Sequence, residues 1–168
     1  MRSERINFLA VVTAAAGLIS FIGVFAKWFS YSYPVDGGVI TLYLDGTWDA
    51  TGAIVVAAGL GALAFGCAYI LLSDPAIRRI VALLMVICSF MLVVSSIIGY
   101  TRLDEVIGPS PFLPGATGTT EFTATVAIGL GISLVSGLLA MVASVLLVAR
   151  REEGLDDVDT PANTTTTV

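Results

Sequence analysis

The sequence predicts an all-α membrane protein: a four-transmembrane-helix bundle with a small antiparallel β flap in its outer loops. Three observations carry that reading. The 168 residues are 57% apolar and only 12% charged, against about 45–50% and about 25% in ordinary globular domains. Four apolar runs, at 6–26, 51–73, 76–99 and 122–149, reach the roughly 20 residues that an α-helix needs to cross a hydrocarbon core of about 30 Å. Between them stand two longer segments, 27–50 and 100–121, rich in aromatic, β-branched and turn-forming residues. Residues 1–150 are thus read as the transmembrane domain, and 151–168 as a disordered cytoplasmic tail.

The first run starts after Arg2 and Arg5 and ends at Val24-Phe25-Ala26, which also has the form of a signal-peptide cleavage site. A signal h-region spans roughly 7–15 residues. This run is about 21 residues long, so it is read as a span. Ala14, Ala15, Ala16, Gly17 and Ser20 make it able to receive a neighbouring helix.

The first outer segment holds Lys27, Trp28, Phe29, Tyr31, Tyr33, Tyr43 and Trp48. Tryptophan and tyrosine favour the headgroup level, where an apolar ring and a polar tip are both satisfied, so an interfacial belt is one reading. The other is local structure. Val39-Ile40-Thr41-Leu42-Tyr43-Leu44 is β-branched and aromatic enough for a strand, Pro34 to Gly38 offers a turn back onto Trp28 to Tyr33, and Asp45-Gly46 suits a tight turn leading to Thr47-Trp48. The expectation is a two- or three-stranded flap over the outer helix ends.

Asp49 or Thr51 can cap the second run, and Asp74 can cap the third with Pro75 in its first turn, where a missing N–H costs nothing. The second and third spans are therefore joined by a tight turn. The third run is bulky almost throughout, from Leu83 to Val94, and is expected to face lipid most. The segment after it carries Gly108-Pro109-Ser110-Pro111 and Pro114-Gly115, which are turn residues. Thr119 or Thr120, followed by Glu121, can cap the fourth run.

Lipid offers no hydrophobic drive for helix association, so packing relies on small residues that let backbones approach. Ala53, Ala57 and Gly61 repeat every four residues, as do Ala58, Ala62 and Gly66; the fourth run has Gly129, Ser133 and Gly137, then Ser136, Ala140 and Ser144. Ala57, Gly61, Gly66, Gly129, Ser133 and Gly137 are the expected packing positions. Tyr69, Ser89, Ser95 and Ser96 are read as hydrogen-bonding between helices.

Orientation follows the cations, because Lys and Arg in short loops stay cytoplasmic. Arg2, Arg5, Arg78, Arg79, Arg150 and Arg151 fall on one side of the four spans, and only Lys27 and Arg102 on the other. Both termini are expected in the cytoplasm. The eight basic residues form no clustered face of the kind nucleic acid requires.

Chemistry has few candidates. The chain has no histidine, which removes the commonest general base and metal ligand. Cys67 and Cys88 lie inside apolar runs and belong to no C-x-x-C motif. Asp104 and Glu105 are neighbouring acids on a solvated loop, and the spans hold no ionisable residue away from their ends. No catalytic residue, metal site or cofactor is expected. Asn163-Thr164-Thr165 matches a glycosylation sequon on the side where none is added, and the terminal Thr166-Thr167-Val168 is short enough to match peptide-binding patterns by chance.

The order of parts resembles the claudin plan: a helix, a Trp-bearing outer loop with strand signals, two helices joined by a tight inner turn, a second outer loop and a last helix. The claudin first loop carries two cysteines after its tryptophan cluster and this chain carries none there, so that resemblance implies topology only. The Trp-rich outer residues followed by Gly52-Ala53-Ile54-Val55-Val56-Ala57-Ala58-Gly59 are similar to those of uncharacterised small four-helix membrane proteins of actinobacterial type. That likeness implies an inner-membrane location and no defined activity.

The function expected is that of a non-enzymatic accessory, assembly or scaffold subunit. Trp28, Tyr31, Tyr33, Tyr43 and Trp48 would meet a membrane or envelope partner, since aromatics are enriched at binding hot spots. The alternative is a small homo-oligomeric channel or facilitator packed through the small-residue stripes.

Overall fold

The structure, a computed structural model, describes residues 2–35, 38–48, 50–102 and 123–156. Its helices are α1 (Arg2–Val24), α2 (Ala50–Leu71), α3 (Pro75–Thr101) and α4 (Ile128–Asp156), and its strands are β1 (Lys27–Val35), β2 (Gly38–Asp45) and β3 (Thr123–Val126). A 3-10 turn over Gly46–Trp48 joins β2 to α2. All four helices are long and apolar enough to cross a membrane. The chain is a multi-pass membrane protein.

Around the bundle, α1 packs on α2 and α4, and α3 packs on the other sides of the same two. Small residues set each seam. Gly17 and Gly59 face one another closely enough that a β-carbon on either would lie within 3 Å of the other's carbonyl oxygen, and a β-carbon at Gly66 would lie 2.7 Å from that of Ala14. Gly137 abuts Leu92 and Val93 of α3. Gly61 faces the thiol of Cys88, and both cysteines are free. Ala57 departs from expectation: it is exposed, as is Ala53, because the face of α2 that meets α1 is the one carrying Ala58, Ala62 and Gly66.

The expectation that α3 faces lipid most is also corrected. Only 33% of the apolar stretch of α2 is buried, against 44% for α3. Bulk decides contact here. Met85, Leu92 and Val93 reach into the core from α3, whereas α2 buries Val55 and Tyr69 and otherwise small residues, and leaves Ile54, Ala57, Leu60 and Ala64 outside.

The tight turn between α2 and α3 forms as expected. Asp74 accepts hydrogen bonds from the backbone N–H groups of Ala76 (2.7 Å) and Ile77 (3.3 Å), with Pro75 opening the helix. On the other side of the turn, the Arg78 Nε–H donates to the Leu72 carbonyl and the guanidinium lies 5.4 Å from the Tyr69 ring centre. Anion at a helix N-terminus and cation at a C-terminus both complement the peptide dipoles. Because the helices alternate in direction, this turn, the start of α1 and the end of α4 share one end of the bundle. The sheet occupies the other.

The flap is a three-stranded antiparallel sheet in the order β2-β1-β3. The hairpin pairs Val35 with Gly38 and Tyr33 with Ile40, so its turn falls within 34–38 as read from the sequence. Its third strand is a correction: Thr123–Val126 was expected inside the last helix. Three of its four residues, Thr123, Thr125 and Val126, are β-branched and suit a strand better than a helix start, and the segment pairs with Phe29 to Ser32. The last helix accordingly starts at Ile128 rather than near 122. At its far end it runs to Asp156, so residues 151–156, expected in the tail, are helical; a helix of 29 residues spans about 43 Å and outruns the bilayer core. The caps expected at Asp49, Thr119 and Thr120, the acids Asp104 and Glu105, and the tail from 157 onward lie outside the described residues.

Candidate functional site

Two apolar clusters fill the bundle, and the one at the sheet end is centred on Trp28. Trp28 sits at a register irregularity between Lys27 and Phe29 in the β1–β2 ladder. Strict alternation would send consecutive residues to opposite faces. An irregularity of this bulge type re-aims a side chain, and here both Trp28 (1% exposed) and Phe29 (8% exposed) are buried, with Val24, Val55, Leu92 and Leu130.

Trp28 is tied through both its side chain and its backbone. Its Nε1–H donates to the Gly23 carbonyl (3.0 Å), and the Trp28 carbonyl accepts from the Ala127 N–H (2.8 Å). Glycines make room for the ring. A β-carbon at Gly46 would lie 2.5 Å from the indole Cε2, one at Gly129 2.8 Å from Cδ1, and one at Gly99 3.4 Å from Cζ3. A ring this buried is unavailable to a partner, which corrects the expectation that Trp28 forms part of an exposed contact surface. It is the peg that holds the sheet to the bundle.

Above that peg the sheet has two unlike faces. On one, Phe29 stands opposite Leu44 and Val126, and all three belong to or pack on the buried cluster. The register continues this side outward with Tyr31 opposite Leu42 and Tyr33 opposite Ile40. On the other face hydroxyls pair across the strands: Ser30 with Thr125 (2.6 Å) and Ser32 with Thr41 (3.0 Å). Tyr43 belongs to this second face, 53% exposed, with the Lys27 ammonium 3.5 Å from its ring centre. That distance fits a cation–π contact. Of the five aromatics singled out from sequence, the fold therefore separates Trp28, in the core, from Tyr43, on the solvent side. For Tyr31, Tyr33 and Trp48 the backbone position alone is described.

Among the described residues, several buried hydroxyls bond within their own helices. Ser89 and Ser96 donate to carbonyls of their own helix, at Met85 (2.7 Å) and Leu92 (2.8 Å), where bonds between helices were expected. Thr13 and Ser144 likewise bond within their helices. One pair does cross a seam: Ser20 of α1 and Ser136 of α4 meet at 2.6 Å. Beside them the Ser133 hydroxyl, fully buried against Gly23, has no hydrogen-bond partner among the described residues. Among those residues no three thiols or carboxylates gather into a metal site.

Sequence reasoning missed the ring of glycines, because Gly23, Gly46, Gly99 and Gly129 converge from four separate segments. The one available signal was that Gly23, Gly99 and Gly129 stand toward the outer ends of three apolar runs, with Gly46 in the segment between the first two. No protein-family model and no curated protein matches this chain.

Proposed function

We propose that this chain is a non-enzymatic, multi-pass protein of the cell's inner membrane, with both termini cytoplasmic, that serves as an accessory, assembly or scaffold subunit. Its partner is a membrane or envelope protein met on the hydroxyl-bearing face of the sheet. One observation carries the reading: a small sheet is pegged rigidly to the bundle by Trp28 and presents Tyr43, with Lys27 on its ring, to the outside. An aromatic ring with a charge already in place on a fixed support is the kind of anchor that dominates binding energy, since little side-chain freedom is left to lose. The cation distribution, six basic residues toward the terminal end and two toward the sheet, supports the orientation. The small homo-oligomeric channel stays the second reading, favoured by the exposed small residues Ala53 and Ala57 on α2.

Purification of the full chain in mild detergent, through a tag after Val168, tests the proposal. A second protein in stoichiometric amount is expected, and it is expected to be lost from the double variant Lys27→Ala/Tyr43→Ala, whose exposed side chains leave the fold intact. A chain that purifies alone and captures nothing under mild cross-linking would sink the subunit reading. A clean homo-oligomer that carries flux in proteoliposomes would establish the channel instead.

A further inference from the structure

The bundle covers only part of the sheet's apolar face. Its apolar face starts over the helix ends, where Phe29, Leu44 and Val126 close the buried cluster. The same face continues along the hairpin, by the two-residue alternation of a strand, to Leu42 and then Ile40. Those two are 53% and 42% exposed, although they share a face with Phe29, which is 8% exposed. Ile40 stands four residues beyond Leu44, about 14 Å further along a strand rising roughly 3.4 Å per residue. The apolar face thus runs past the rim of the bundle while still directed as its covered part is, toward the helices rather than away from them.

What adjoins the rim of a membrane-spanning bundle on that side is the bilayer. We infer that the outer half of the hairpin rests on the lipid surface, with Ile40 and Leu42 seated at the boundary between headgroups and acyl chains and the hydroxyl face turned to water. Two features of the chain fit this occupant. The apolar face is continuous with the sheet–bundle interface rather than separate from it. The opposite face carries the paired hydroxyls of Ser30, Ser32, Thr41 and Thr125 beside Tyr43 and the exposed Val39, so the hydroxyls of the hairpin gather on the side away from the bundle, as an interfacial element requires. The sheet then has two tasks on two faces, lipid below and a protein partner above, and the lipid contact limits how the sheet can tilt.

The inference rests on the spanning reading of the helices, and one experiment separates the two. The full chain with Cys67→Ala and Cys88→Ala is reconstituted in phosphatidylcholine–phosphatidylglycerol vesicles. Nitroxide labels are placed singly at Cys replacements of Ile40, Thr41, Leu42 and, in α2, the exposed Leu60. Collision rates are measured with oxygen, which concentrates in lipid, and with a water-soluble nickel chelate. Labels at 40, 42 and 60 are expected to favour oxygen severalfold relative to the label at 41. Nickel access at 40 and 42 with lipid access at 60 would overturn the lipid contact and leave the spans standing. Shielding of 40 and 42 from both reagents would mean that protein covers the face, which also overturns it. Nickel access at 60 would remove the spanning reading and this inference together.

Discussion

At the terminal end of the bundle, Ala10, Met85, Leu147 and Tyr69 interlock as side chains of ordinary helices, and the α2–α3 turn is closed by Asp74 and Arg78 from within a few residues of each other. At the sheet end one indole fills the centre, received by glycines of α1, the 3-10 turn, α3 and α4. The first arrangement is distributed and local. The second is concentrated and long-range, so a single change there removes contacts to four segments at once. Sensitivity to mutation should therefore differ sharply between the two ends.

The largest effect is expected from Trp28→Ala, which deletes a fully buried ring packed among Val24, Val55, Leu92 and Leu130 and against glycine backbone that cannot move in to fill the space. A loss of about 3–5 kcal/mol is expected, read as a shift in an SDS-unfolding titration, together with loss of sheet signal by circular dichroism. If the sheet persists and stability falls by less than Asp74→Ala causes, the concentrated view of this end is wrong. Next comes a matched pair on one helix. A β-carbon at Gly129 meets the carbonyls of Gly23 and Lys27 and the indole, all at 2.8 Å, whereas one at Gly131 meets nothing within 4 Å. Gly129→Ala should cost about 1–3 kcal/mol by overpacking, and Gly131→Ala should be neutral or stabilise by up to about 1 kcal/mol through helix propensity. Equal effects in the same titration would show that the glycine ring is looser than the geometry says.

At the terminal end, Asp74→Ala removes the acceptor for two backbone N–H groups of α3 and is expected to cost about 1 kcal/mol. Hydrogen exchange should localise the change to the first turn of α3 and leave the sheet unaffected. The smallest effect belongs to Ser20→Ala, which deletes the hydroxyl pair with Ser136 between α1 and α4. Such bonds between membrane helices contribute about 0.6 kcal/mol on average, so a shift larger than that of Asp74→Ala would indicate that the Ser20–Ser136 pair holds more than its own bond.

Much of this was open to sequence reading where the governing interactions are short in sequence. The four apolar lengths, the Asp74-Pro75 helix start and the hairpin centred near 34–38 each follow from residues within one element or one turn. The same limits explain the misplacements. Apolar length alone places Thr123–Val126 in the last helix, and only the presence of β1 alongside makes a strand the better state for its backbone. Ala57 was grouped with packing residues because four-residue spacing identifies a stripe but not which of two stripes turns inward. Among the contact candidates, Tyr43 and Trp28 looked alike as outer-loop aromatics; a register irregularity placed one in the core and left the other on the surface.

By itself the sequence determined that the chain has four spanning helices, a cationic terminal end and a β-forming segment between the first two spans, because hydropathy, charge asymmetry and β-branching act on a backbone locally. Only the tertiary structure decided that Trp28 is a core residue, that the third strand comes from the far side of the chain, and that the two faces of the sheet differ. Those outcomes depend on which surfaces meet, and a buried indole needs space that distant glycines, each unremarkable in its own segment, provide only once the chain has brought them together.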